Sequence, residues 1–220
     1  MSTDTTEPGD QHEHDLEHDE LELDDEAIEA ALRPTRAGGL LVTVLGALGL
    51  LAAFTLSVEK VEILIDPSYV PSCNINPVLS CGSVMVTDQA ALFGFPNPFL
   101  GILGFSVVVT VGVILASGVR LPVWIHWGLA LGTFLGLIFI HWLAWQSLYD
   151  IHALCPYCMV VWTVTIPLFV WSTLSAARLS SASPLVHTLW AWRLPIVLAW
   201  YVVFIVAILE AFWSYWSTLL

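Results

Sequence analysis

The chain has 220 residues, 57% of them apolar and only 11% charged, against about 25% charged residues in a soluble domain. Its formal net charge is −13, and with six cationic side chains it has no basic stripe to neutralise phosphates, which excludes nucleic-acid binding. The acidity is local: residues 1–36 hold thirteen of the nineteen carboxylates and two of the six cations, net −11, and the rest of the chain carries net −2. Most of the chain is therefore suited to lipid rather than water, which argues against a large soluble enzyme domain.

In chain order, residues 1–36 read as a disordered acidic tail, because like charges repel and little apolar surface offsets the entropy of ordering. The tail lacks the basic and apolar regions of a signal peptide. His12, His14 and His18 sit among carboxylates, but no rigid element fixes a metal geometry there, so no metal is assigned. From Gly38 onward five apolar runs reach the ~20 residues a bilayer requires, at roughly 38–57, 98–117, 122–145, 155–174 and 194–214. The fold class is an all-α integral membrane protein with five transmembrane helices. Arg33, Arg36, Arg120, Arg178 and Arg193 fall on one side of these spans and Lys60 on the other, which predicts a cytoplasmic N-terminus and an extracytoplasmic C-terminus. Aromatic residues close the third and fifth spans at the outer interface (Trp142, Trp145; Phe212, Trp213, Tyr215, Trp216).

Three further features of the spans carry expectations. Gly128, Gly132 and Gly136 form a small-residue stripe on the third span; packing inside one bundle explains it, and a dimerisation face is the alternative. Glu210 lies near the outer end of the fifth span, within snorkelling reach of water. His141, near the outer end of the third, reads as a satisfied interfacial histidine.

The topology puts all four cysteines at the outer face: Cys73 and Cys81 in the long loop 58–97, and Cys155 and Cys158 opening the fourth span. Four cysteines in an oxidising compartment are ordinarily two structural disulfides. Against that reading, a bond within Cys155-Pro156-Tyr157-Cys158 closes almost no loop and adds little entropic stability. The placement suits exchange chemistry instead, since a helix N-terminus favours negative charge and so the attacking thiolate, and Pro156 fits the first turn. Soluble glutaredoxins share the CPYC string, but here a membrane span follows it. Met159 in place of His excludes haem attachment, and a zinc site of four cysteines does not match usual ligand spacing.

A C-x7-C in the loop after the first span, followed by a CxxC at the start of the fourth, resembles the vitamin K epoxide reductase family, in particular its bacterial, DsbB-like disulfide-forming members. The resemblance covers roughly residues 38–175. It implies a catalytic core at 37–177 built as four helices around a quinone, with 178–220 forming a peripheral fifth-helix region. It further implies location in a bacterial plasma membrane, a membrane quinone (menaquinone or ubiquinone) as electron acceptor, and a separate extracytoplasmic, DsbA-like thioredoxin-fold protein as partner. By the same resemblance Cys158 faces the quinone with Cys155 as its pair, and Cys73 and Cys81 form the shuttle pair in the loop. Thr87 stands six residues after the second loop cysteine, and Asn97 at the outer end of the second span takes the place of a residue that binds the quinone carbonyl. Trp162 departs from the family's frequent Tyr four residues after the CxxC; an indole donates a hydrogen bond but accepts none. A quinone-epoxide reductase would use the same residues, and a structural protein with two fixed disulfides is the bland alternative. A transporter fits poorly, because the spans lack paired midplane charges.

Overall fold

The computed structural model describes residues 36–181 and 183–217; the acidic tail and its histidines lie outside them. Five helices are long and apolar enough to cross a membrane: Arg36–Ile65, Pro98–Ala116, Val123–Ile151, Pro156–Ser180 and Arg193–Ala211, called here the first to fifth spans. No strand occurs among the described residues. The short helices Cys81–Met85 and Asp88–Ala91 lie in the loop between the first two spans, and Pro184–Ala191 joins the fourth to the fifth.

Three spans exceed the lengths read from hydropathy, the third by the π-helical turn Ser147–Ile151. The first continues as helix to Ile65, so the loop expected over 58–97 opens with an extra helical turn and more. Hydropathy registers only the apolar part, whereas Glu59, Lys60 and Glu62 are good helix formers. Lys60 Nζ then donates to the Met85 carbonyl at 2.7 Å, capping the Cys81–Met85 helix from the side. The fourth span runs on to Ser180 and contains Pro167, whose missing N–H leaves the carbonyl of Thr163 without its helical donor.

The first four spans share one core, in which Val42 and Ala53, Phe105 and Val108, Leu129, and Val164, Leu168 and Trp171 meet. Glycine sets the closest approach, between the first and second spans. A Cβ built on Gly39 would lie 2.3 Å from the Ala116 nitrogen, and one on Gly112 would lie 2.6 Å from the Thr43 nitrogen. The third-span stripe does the opposite, which corrects the expectation of packing inside the bundle. Nothing lies within 4 Å of a Cβ at Gly128 or Gly132, and Gly136 meets only the Thr165 methyl at 3.9 Å. The buried face includes Leu129, Thr133 and Leu137, each one residue on from a glycine. A step of one residue turns the helix by about 100°, which carries the glycines off the packed face.

The fifth span is peripheral, with nearly all of its surface turned outward. It is tied to the bundle by polar contacts at three levels. Trp200 Nε1 donates to His141 Nε2 at 2.9 Å, while His141 Nδ1 lies 2.7 Å from the Leu137 carbonyl, so the ring is satisfied on both sides. Tyr149 Oη donates to Glu210 Oε2 at 3.0 Å. Tyr201 Oη donates to the Thr163 carbonyl at 2.5 Å, replacing the N–H that Pro167 lacks. Tyr201→Phe should therefore cost about 0.5–2 kcal/mol in a chain with Pro167 and close to nothing after Pro167→Ala, read as thermal stability in lipid nanodiscs. An equal cost in both backgrounds would show that the hydroxyl does not serve this carbonyl.

Candidate active site of four cysteines

The loop between the first two spans folds back on itself through short-range capping. Asn76 Oδ1 accepts from Val78 N and Leu79 N at 2.9 and 2.7 Å, and Asn74 Oδ1 accepts from Gly82 N at 2.9 Å and from Ser80 Oγ at 3.2 Å. Ser80 caps the Cys81–Met85 helix, its hydroxyl accepting from Ser83 N at 3.2 Å. These bonds bring the loop cysteines together: Cys73 and Cys81 form a disulfide with an S–S length of 2.02 Å.

A second set of backbone bonds brings this pair to the fourth span. Leu79 and Leu154 form an isolated parallel bridge, in which Leu154 N donates to the Val78 carbonyl at 2.7 Å and Ser80 N donates to the Leu154 carbonyl at 2.9 Å. The residues that follow these strands of contact are Cys81 and Cys155. Their sulfurs stand 3.0 Å apart, with the Cys155 thiol directed at Cys81. The chain reaches this register by a sharp reversal at His152, which ends the turn 147–151 in the left-handed region with φ 56°.

Cys155 and Cys158 are free thiols, so the reading of two fixed disulfides does not describe this structure. Cys155 occupies the cap position of the fourth span, and Pro156 takes the first helical position. A hydrogen bond from the Cys158 thiol, aided by the backbone N–H groups of Cys158 and Tyr157, holds the Cys155 thiol below its ordinary range despite its burial. The result is a continuous sulfur path, Cys73 to Cys81 to Cys155 to Cys158. The first three of these residues are at most 5% exposed. Cys158 is half-buried and borders both the cysteine cluster and a second apolar cluster that includes Leu137, Ile140, Trp162 and Phe204.

The other three expected site residues fall at two places. Trp162, one turn along the fourth span from Cys158, is 4% exposed and packs toward the third and fifth spans, with its ring 5.8 Å from that of Phe204. Thr87 and Asn97 bracket the short helix Asp88–Ala91. Thr87 Oγ1 donates to the Val84 carbonyl at 2.8 Å. Asn97 Nδ2 donates to the Gln89 carbonyl at 2.7 Å and Oδ1 accepts from Leu92 N at 3.1 Å, so Asn97 first of all pins the loop backbone. One amide hydrogen remains after these bonds. The sequence reading missed Asn74, the role of Lys60 and the Leu79–Leu154 bridge; only the Asn76-Pro77 turn signal beside Asn74 pointed to this loop geometry. Among the described residues no group of three metal-ligating side chains converges.

A helical membrane bundle that stores a disulfide against a free dithiol is a membrane thiol oxidoreductase by fold and site. The sequence profile of the vitamin K epoxide reductase family matches residues 40–173, and the chain belongs to that family. Members act with quinones and with thioredoxin-like partners, and the matched residues include all four cysteines. No curated protein matches the chain.

Proposed function

We propose that the protein generates disulfides in an extracytoplasmic, DsbA-like thioredoxin-fold protein and passes the electrons to a membrane quinone. The observation that carries this reading is the 3.0 Å approach of Cys155 to the Cys73–Cys81 disulfide. A reduced partner thiolate attacks Cys73, forming a mixed disulfide and expelling Cys81 as thiolate, and the partner's second thiol then releases Cys73. Cys81 attacks Cys155 of the oxidised CxxC, and Cys158 leaves as thiolate. Cys73 then attacks Cys81, which restores the loop disulfide and leaves Cys155 and Cys158 as thiols. That final arrangement is the redox state found here.

The acceptor must lie where Cys158 is. Its thiol borders an apolar cluster at the start of a membrane span, which suits a lipid-soluble group better than a soluble one. A bound quinone accepts two electrons and two protons, as dithiol oxidation requires. The residues that would hold it are Cys158 and Trp162 on the fourth span, with Thr87 and the remaining Asn97 amide hydrogen on the loop. The orientation follows the arginines: Arg36, Arg120, Arg178 and Arg193 stand at the span ends opposite the cysteines, which supports a cytoplasmic N-terminus.

The test is direct. The full chain in nanodiscs containing menaquinone or ubiquinone should reduce the quinone, followed by its ultraviolet absorbance, when a reduced thioredoxin-fold dithiol protein is added. Cysteines that never exchange with that protein or with small dithiols would leave only a structural role.

A further inference from the structure

Glu59 is the one buried carboxylate among the described residues, 6% exposed, and the reaction scheme above does not use it. It lies on the helical extension of the first span. Leu56 and Ile63, which share its helix face at three- and four-residue steps, pack on the cluster of Cys73, Cys81 and Cys155. Glu59 Oε1 accepts from Ser72 N at 3.3 Å and from Ser72 Oγ at 2.5 Å, and Ser72 is peptide-bonded to Cys73. Oε2 is buried with no hydrogen-bond partner of its own. The Tyr69 hydroxyl lies beside the carboxylate, whose hydrogen bond holds the phenol above its ordinary range. Lys60, next in sequence, turns away to the Met85 carbonyl and gives Glu59 no counter-ion. A buried carboxylate without a cation is costly, and this one stands one residue from the sulfur that a partner must reach.

Exchange at a disulfide forms one S–S bond and breaks another, and the electron pair of the broken bond leaves on the sulfur that was not attacked. Attack at Cys73 leaves that pair on Cys81, beside Cys155. Attack at Cys81 leaves it on Cys73, whose neighbour Ser72 holds the Glu59 carboxylate, and like charges repel in a poorly solvated setting. We propose that Glu59 is a positioning residue that directs the incoming thiol to Cys73 by making Cys73 the poorer leaving group. The inference rests on the reading above that the loop disulfide exchanges with a protein thiol. It gives the order of steps a cause: the thiolate is always released on the side of the membrane cysteines.

The experiment uses the full chain carrying Cys155→Ala and Cys158→Ala, so that only the loop disulfide can react. Glutathione is added, the reaction is quenched with acid, released thiols are alkylated, and mass spectrometry reports which cysteine carries glutathione. The chain with Glu59 should carry it on Cys73 over Cys81 by roughly tenfold or more. Glu59→Gln keeps the size and an acceptor oxygen for Ser72 but removes the charge, and should shift this ratio at least about threefold toward Cys81. Ser72→Ala removes one hydrogen bond that disperses the carboxylate charge, and should raise the ratio. An unchanged ratio in Glu59→Gln, or a ratio unchanged or lowered in Ser72→Ala, would overturn the role of Glu59. Should Glu59→Gln not fold, the Ser72→Ala ratio alone decides. Absence of glutathione on either cysteine in the chain with Glu59 would instead sink the exchange reading itself.

Discussion

Cys158→Ala should lower dithiol-driven quinone reduction at least about a thousandfold, because it removes the only thiol of the path that borders the apolar acceptor region. Cys73→Ala should abolish reaction with the protein partner yet retain part of the rate with a small membrane-penetrant dithiol, which can reduce the CxxC directly. The 3.0 Å contact adds a consequence that activity alone does not reveal. In Cys158→Ala the Cys155 thiolate can attack Cys81 of the loop disulfide, forming a Cys81–Cys155 bond and releasing Cys73 as a thiol. Cys73 can return to Cys81 and reverse this step, so alkylating the released Cys73 should trap the Cys81–Cys155 bond and make it visible by mass spectrometry. Equal losses in both assays for both variants, with no such bond trapped, would contradict the division of labour along the path.

Gly39→Leu should destabilise the bundle by about 3 kcal/mol or more, whereas Gly132→Leu should change stability by no more than about 0.5 kcal/mol. The first would drive a side chain into the backbone of residues 115 and 116, 2.3 Å from the Ala116 nitrogen, and backbone has no rotamer with which to yield. The second would project into space with nothing within 4 Å. Thermal unfolding of both variants in nanodiscs makes the comparison. A larger loss from the third-span change would mean that the packed face of that helix has been assigned to the wrong stripe.

What the sequence by itself determined is what short stretches of chain decide. Membrane spans follow from the length of apolar runs, since backbone groups in lipid must be satisfied within the helix, and all five runs became spans. The setting of the Cys155 thiol was legible for the same reason: a cap position, a proline at the first helical position and nearby N–H groups are set by four consecutive residues. The C-x7-C and CxxC spacings were enough to carry the resemblance to a family that the matched region bears out.

What only the tertiary structure decided is which faces and which distant residues meet. In lipid an outward face is as apolar as an inward one, so the pattern that betrays the buried side of a soluble helix is missing. That is why the glycines of the third span were expected inside the bundle and stand outside, while Gly39 and Gly112 set the real close approach. The same holds for the site. Nothing local links Leu79 to Leu154 or Glu59 to Ser72, yet the first pairing sets Cys81 beside Cys155 and the second seats a buried carboxylate on the residue before Cys73. Asn97 was legible as a polar residue needing a partner at a span end, but its partners, Gln89 and Leu92, depend on how the loop folds over the bundle. The fifth span was legible as a span and silent as to purpose, because its attachment is a carbonyl freed by Pro167 on one helix and a tyrosine hydroxyl on another, a match that exists only once the two helices are packed.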